Sequence, residues 1–263
     1  MIQHSEKSTT GIHLIKFISA LLMAANALVA LLPVLAAAPP PPPRYLYRTE
    51  LVQATPGKLL ELIDLYKQKA AVDQQAGDQP ALWMRHSQGD RWDLLRLVPM
   101  KSYADYYNPG RIESRDRATE RAVWLARMHD DIAWEEDILV YGPPINSLRN
   151  AFAAGGLFHV EMFESLPDKR ADLYHEREME NTYSAALSQP ENFIFVRDQG
   201  AAWDLFSIGV FRDIKHFASS SDATPEAQAA AAKAAGFSSP SDIGPYLRTL
   251  IQLHRDTLAV AIK

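Results

Sequence analysis

Residues 47–58 read YRTELVQATPGK, and residues 158–169 read FHVEMFESLPDK. Glu50, Pro56 and Lys58 fall on Glu161, Pro167 and Lys169, a constant offset of 111 residues. The same offset carries Gly89, Trp92, Asp93 and Leu94 onto Gly200, Trp203, Asp204 and Leu205. Two matches in one register, with no gap between them, mark two copies of one module in a single chain.

Worked outward from the repeat, each copy reads as strand, helix, strand, strand, helix, strand. In copy one, residues 45–52 alternate and are rich in β-formers. Pro56 opens a helix with Leu59, Leu62, Ile63 and Tyr66 at helical spacing. Residues 81–87 and 92–98 are strands joined through Gly89, 115–136 a long charged helix and 138–141 the last strand. Copy two repeats the order: strand 157–163, helix 168–187, strands 192–197 and 203–211, helix 243–257 and strand 258–262. An insertion at 219–240 interrupts it. There Thr224-Pro225-Glu226 starts an alanine-rich helix and Gly236 stops it. Such a helix buries little, so a surface decoration is expected. The modules span 45–144 and 157–263, with 145–156 joining them.

A βαββαβ unit is the ferredoxin-like arrangement. Helices cover one face of its sheet, and the bare face of a second copy covers the other. The expected fold class is therefore α+β: two tandem ferredoxin-like modules forming an intramolecular pseudo-dimeric α+β barrel. In element order and duplication, residues 45–263 resemble the dimeric α+β barrel superfamily. That group includes small cofactor-free monooxygenases of the antibiotic-monooxygenase type, EthD-like and NIPSNAP-like proteins. The resemblance implies a small-molecule site in the cavity between the two sheets, working without a cofactor. No catalytic motif carries it, so transfer of a reaction by fold is analogy.

Composition bounds the partners. Hydrophobic residues are 47% and charged residues 22%, an ordinary globular balance. A net charge of −5 argues against nucleic acid. The absence of cysteine removes disulfides, thiolate nucleophiles and Cys-ligated metals. At residues 1–38, Lys7 and Lys16 precede an apolar run that ends in Ala36-Ala37-Ala38, the order of a secretory signal. Residues 39–44 carry five prolines, a stiff spacer. A periplasmic or secreted protein, monomer or homodimer, is expected. The alternative is an uncleaved membrane anchor, since 17–38 is just long enough to span.

Strand alternation selects the candidate site. Arg48, Glu50 and Val52, with His159, Glu161 and Phe163, are expected to face the inter-sheet space. Trp92, Leu94 and Arg96, with Trp203, Leu205 and Ser207, are expected to join them. Glu50, Glu161, His159 and Arg96 are the candidate catalytic groups. Trp92, Trp203, Arg48 and Ser207 would bind an apolar or aromatic compound. The competing reading is a non-catalytic interaction protein with a filled barrel, in which Glu50 pairs with Arg48 or Arg96 and Glu161 with His159. His159 and Glu161 share a strand face, but two ligands do not make a metal site and none is assigned. His129 and His254, on apolar stripes of the last helices, are expected to bond Asp93 and Asp204 as structural pairs. Glu176-Arg177-Glu178 with Glu180 reads as a solvated helix face. No Gly-rich phosphate loop and no G-x-S-x-G elbow is present.

Overall fold

The structure, a computed structural model, describes residues 45–119 and 125–262. The expected N-terminal signal or anchor and the polyproline spacer lie outside the described residues. Module one contains β1 (Tyr45–Ala54), α1 (Leu59–Gln75), β2 (Leu82–Gln88), β3 (Leu94–Lys101), α2 (Tyr103–Tyr106), α3 (Pro109–Thr119), α4 (Leu125–Asp131) and β4 (Ile132–Gly142). Helix α5 (Ile145–Ala154) follows. Module two contains β5 (Leu157–Ser165), α6 (Arg170–Ala186), β6 (Phe193–Gly200), β7 (Leu205–Phe211), α7 (Ile214–Ala218), α8 (Pro225–Ala235), α9 (Ile243–Arg248) and β8 (Ile251–Ala261).

The strands close into one antiparallel barrel in the order β1-β3-β2-β8-β5-β7-β6-β4. Each module contributes four consecutive strands, and the modules meet along two seams, β2 with β8 and β4 with β6. The fold is thus the pseudo-dimeric α+β barrel expected from the repeat, and closure removes the exposed edges that each sheet would have alone.

The repeated residues explain the symmetry. Asp93 accepts the backbone N–H of Ala54 at 2.8 Å, and Asp204 accepts that of Ser165 at 2.9 Å. Each carboxylate ties the end of its module's first strand to the start of its third. Gly89 and Gly200 sit at the two seams with φ of +125° and +104°. A Cβ there would lie 2.2 Å from the Asp256 carbonyl and 2.5 Å from the Asp137 carbonyl, so only glycine lets the modules approach.

The barrel interior is filled. Tyr47, Leu51, Leu95, Leu97, Phe158, Met162, Phe195 and Phe206 pack there with both repeated tryptophans. Ile145 and Leu148 of α5 belong to the same cluster, so the connection between modules helps fill it. Outside the barrel, Val52 and Leu94 pack on Leu62 and Tyr66 of α1, and Phe163 and Leu205 pack on Leu173 of α6 and Leu247 of α9.

Four expectations are corrected here. First, the strand faces are reversed: Tyr47 and Leu51 point inward, whereas Val52 and Leu94 point to the helices. β1 is buried on both sides, between core and helix layer, so alternation gives no sign of which face is which. Second, the long helices 115–136 and 243–257 end early, at Asp131 and Arg248, and strands begin at Ile132 and Ile251. β4 and β8 each pair with a first strand along its whole length, and that ladder outweighs local helical spacing. Third, α8 is not a loose decoration. Thr224 caps it, and buried Ala232 and Ala235 seat it against Met179 and Tyr183 of α6. Fourth, α6 is consequently covered on both sides, and Glu176 and Arg177 are buried rather than solvated.

Candidate functional site

Register places two equivalent sites on the helix-facing side of the barrel. On β1 and β4, Glu50 pairs across from Asp137; on β5 and β8, Glu161 pairs across from Asp256. Arg96 and Ser207 complete the same row on β3 and β7. The two sites share their carboxylates and differ in everything around them.

In module one the carboxylates are clamped by arginine. Arg48 forks onto Asp137 at 2.7 and 3.0 Å and stands 3.5 Å from Glu50. Arg96, buried, donates to Glu50 and lies 3.9 Å above the Tyr66 ring of α1. Beside this pair, between β1, β3, α1 and α3, a cleft of about 250 Å³ opens. Val72, Ala81, Val98 and Pro99 form its apolar wall, and Tyr106 with Arg111 borders it. Arg111 forks onto Asp78 at 2.6 and 2.8 Å. Arg115 meets Asp116 at 3.7 Å, too long for a strong pair.

Module two is built differently at the equivalent position. Arg177 of α6 takes the helix position equivalent to Tyr66, and Ser207 takes the strand position equivalent to Arg96. Each module therefore brings a buried guanidinium to its glutamate, Arg96 from the strand in one and Arg177 from the helix in the other, and module one adds the half-exposed Arg48. Arg177 bonds Glu176 at 2.7 and 2.9 Å and Glu180 at 2.5 Å, and approaches Glu161 at 3.4 Å. Burial pushes the Glu180 carboxyl up to about 8; Arg177 opposes the rise, and the neighbouring Glu161 and Glu176 reinforce it.

Two histidines replace the arginine clamp. His159 Nε2 lies 3.1 Å from Asp256 Oδ1. His254 Nε2 lies 3.3 Å from Asp256 and 3.5 Å from Glu161. It is within ion-pair range of both but aligned for a hydrogen bond with neither. Ser207 donates to Glu161 Oε2 at 3.0 Å. Burial works to raise Glu161, but His254, Arg177 and His159 outweigh it and hold the carboxyl below its usual range. Burial likewise opposes the His254 charge, yet Asp256 and Glu161 raise it to about 9. The two imidazoles hold Asp256 well below the usual carboxylate range.

No protein-family model matches the chain, and no curated sequence is similar to it. Solved structures do match. An anthrone oxidase-like protein superposes with a TM-score of 0.56 at 10% identity, over 85% of this chain and 93% of that one. The shared fold is the α+β barrel. A candidate monooxygenase from Lactobacillus acidophilus matches at a TM-score of 0.49 and 8% identity, over 82% and 93% of the two chains. A candidate chlorite dismutase matches at 0.46 and 12%, over 83% and 95%. At such identities the likeness carries the fold and no chemistry.

Within this α+β barrel the proposed residues separate. Glu50, Arg48 and Arg96 come together, as do Glu161, His159 and Ser207, but beneath the helices and not between the sheets. Trp92 is a core residue, and Trp203 donates to Glu136 at 3.0 Å at the barrel's end. The two Asp–His pairs do not form. Asp93 and Asp204 hold backbone instead, Asp204 also bonding Arg197 and the Ser165 hydroxyl. His129 is exposed on α4, and His254 is a strand residue. Asp137, Asp256, Arg177 and Arg111 were missed. For Asp256 the signal was present: His254 and Asp256 are two apart, and on a strand that spacing shares a face.

Proposed function

We propose that this α+β barrel binds a compact organic acid in the module-one cleft between sheet and helices. The observation that carries this reading is the pairing of an open, arginine-bordered cleft with a barrel interior packed by apolar side chains. About 250 Å³ falls below the usual range for drug-sized ligands, which suits one ring or a short chain. Arg115, paired weakly at 3.7 Å and about one-third exposed, is the donor best placed to meet a carboxylate. Val98 and Pro99 supply the apolar counterpart. Glu50 is engaged by Arg96 and Arg48, so this site is built to hold a ligand rather than to take a proton from it. The apolar wall of Val72, Val98 and Pro99 makes an aromatic ring the first apolar portion to try. The filled interior favours the non-catalytic reading for the space between the sheets.

Calorimetry with benzoate and with benzamide tests the proposal on the full chain. Benzoate is expected to bind, benzamide not, and Arg115→Gln to weaken benzoate at least about tenfold. Equal binding of acid and amide, or none by either, would reject it. The signal-like segment at residues 1–38 supports export of this activity from the cytoplasm. Mass spectrometry of the protein from its natural source would then find an N-terminus near residues 37–39; an intact start at Met1 would favour the anchor.

A further inference from the structure

We propose that His159, Glu161, His254 and Asp256 bind one divalent first-row transition-metal ion. The inference rests on module two and is independent of the module-one cleft.

Three donor pairs stand close to coordination spacing. At metal–ligand bonds of about 2.0–2.2 Å, donors on a tetrahedron are roughly 3.3–3.6 Å apart. His159 to Asp256 is 3.1 Å, His254 to Asp256 is 3.3 Å and His254 to Glu161 is 3.5 Å. The donor atoms of His159, Glu161 and Asp256 all lie within 4.8 Å of one another. Two imidazoles with two carboxylates suit zinc, cobalt or manganese better than the all-oxygen shells of calcium or magnesium.

The surroundings orient these donors. Ser207 occupies Oε2 of Glu161, which leaves Oε1 toward His254. Phe163 stacks on His254 with ring centroids 4.7 Å apart and planes 5° from parallel. Phe217 packs on His159 at 5.2 Å. Such outer contacts fix ligand geometry in metal sites.

An independent observation points into the cluster. The His254 side chain is nine-tenths buried, and its Nε2 has no aligned hydrogen-bond partner. Buried polar atoms ordinarily have one. A metal ion bonded to that nitrogen supplies it. Asp256, about half exposed, leaves the ion a path from solvent.

Arg177 is the apparent obstacle, since its charge opposes a cation near Glu161. Its short bonds go to Glu176 and Glu180, however, and its reach to Glu161 is 3.4 Å. The acids around it outnumber it. Module one has no such site: Arg48 stands where His159 does and is forked onto Asp137, and Glu135 takes the place of His254. One ion is expected among the described residues.

The test is a Co2+ titration of the chelator-treated full chain, read by visible absorption, with Zn2+ as competitor. One equivalent of Co2+ should give the intense absorption of a tetrahedral site, and Zn2+ should abolish it. His159→Gln and Asp256→Asn should each weaken Co2+ at least about tenfold, while His129→Gln, distant on α4, should not. Asp256 is exposed, so its variant retains the fold, which circular dichroism checks. Absence of the absorption, or wild-type Co2+ binding by both ligand variants, would overturn the proposal.

Discussion

His159 and Asp256 meet at 3.1 Å across the β5–β8 ladder although 97 residues separate them in sequence. The equivalent contact in module one is Arg48 on Asp137, 89 residues apart. One geometric position thus holds a guanidinium in one module and an imidazole in the other.

A second imidazole, His254, makes module two sensitive to pH. His254 is raised to about 9, above the ordinary imidazole value. A raised folded-state value means that protonation favours the fold. The stabilisation is complete below about pH 6.5 and is lost as pH rises through about 9. Urea unfolding of the metal-free protein should show a loss of up to about 3 kcal/mol across that window. His254→Gln should flatten the loss; an unchanged pH profile in that variant would refute the assignment. Asp256, held low, acts at the other end and loses its contribution as pH falls.

The two seam glycines should be intolerant of a side chain. Gly89→Ala and Gly200→Ala each force a Cβ into the other module's backbone at a positive φ. Each should cost at least about 2 kcal/mol. Gly77→Ala provides the comparison. Its φ is +89° but nothing lies within 4 Å, so it should cost about 1 kcal/mol. Denaturant midpoints measure all three, and equal losses would show that the seam clash is relieved by movement.

The exchange of arginine between strand and helix should be transferable. Arg96→Ser strips the buried Glu50 of its close guanidinium and should cost about 3–5 kcal/mol. Adding Tyr66→Arg recreates the module-two arrangement and should restore at least about 1 kcal/mol. A double-mutant cycle reads the coupling directly, and additive losses would mean that the two modules do not solve the same charge problem.

The duplication and the barrel were legible because they rest on local signals. Glu50 with Glu161 and Trp92 with Trp203 keep one offset, and turn residues such as Pro56 and Gly89 recur with them. The site was only half legible. Glu50 and Arg96 could be paired from residue types, yet the face they occupy could not, because β1 carries apolar residues on both sides. Glu176 and Arg177 looked solvated until α8 was seen to cover α6.

By itself, then, the sequence determined the repeat, the order of strands and helices, and hence the closed barrel, since hydrophobic spacing and turn chemistry act over neighbouring residues. Tertiary structure alone decided the rest. Pairing of β8 with β5 turned the segment around His254 from helix into strand. That set His254 and Asp256 on one face and brought both to Glu161 and His159. Long-range strand pairing satisfies the segment's backbone groups as a helix would and adds side-chain packing against β5 and β2, which local helical spacing does not supply.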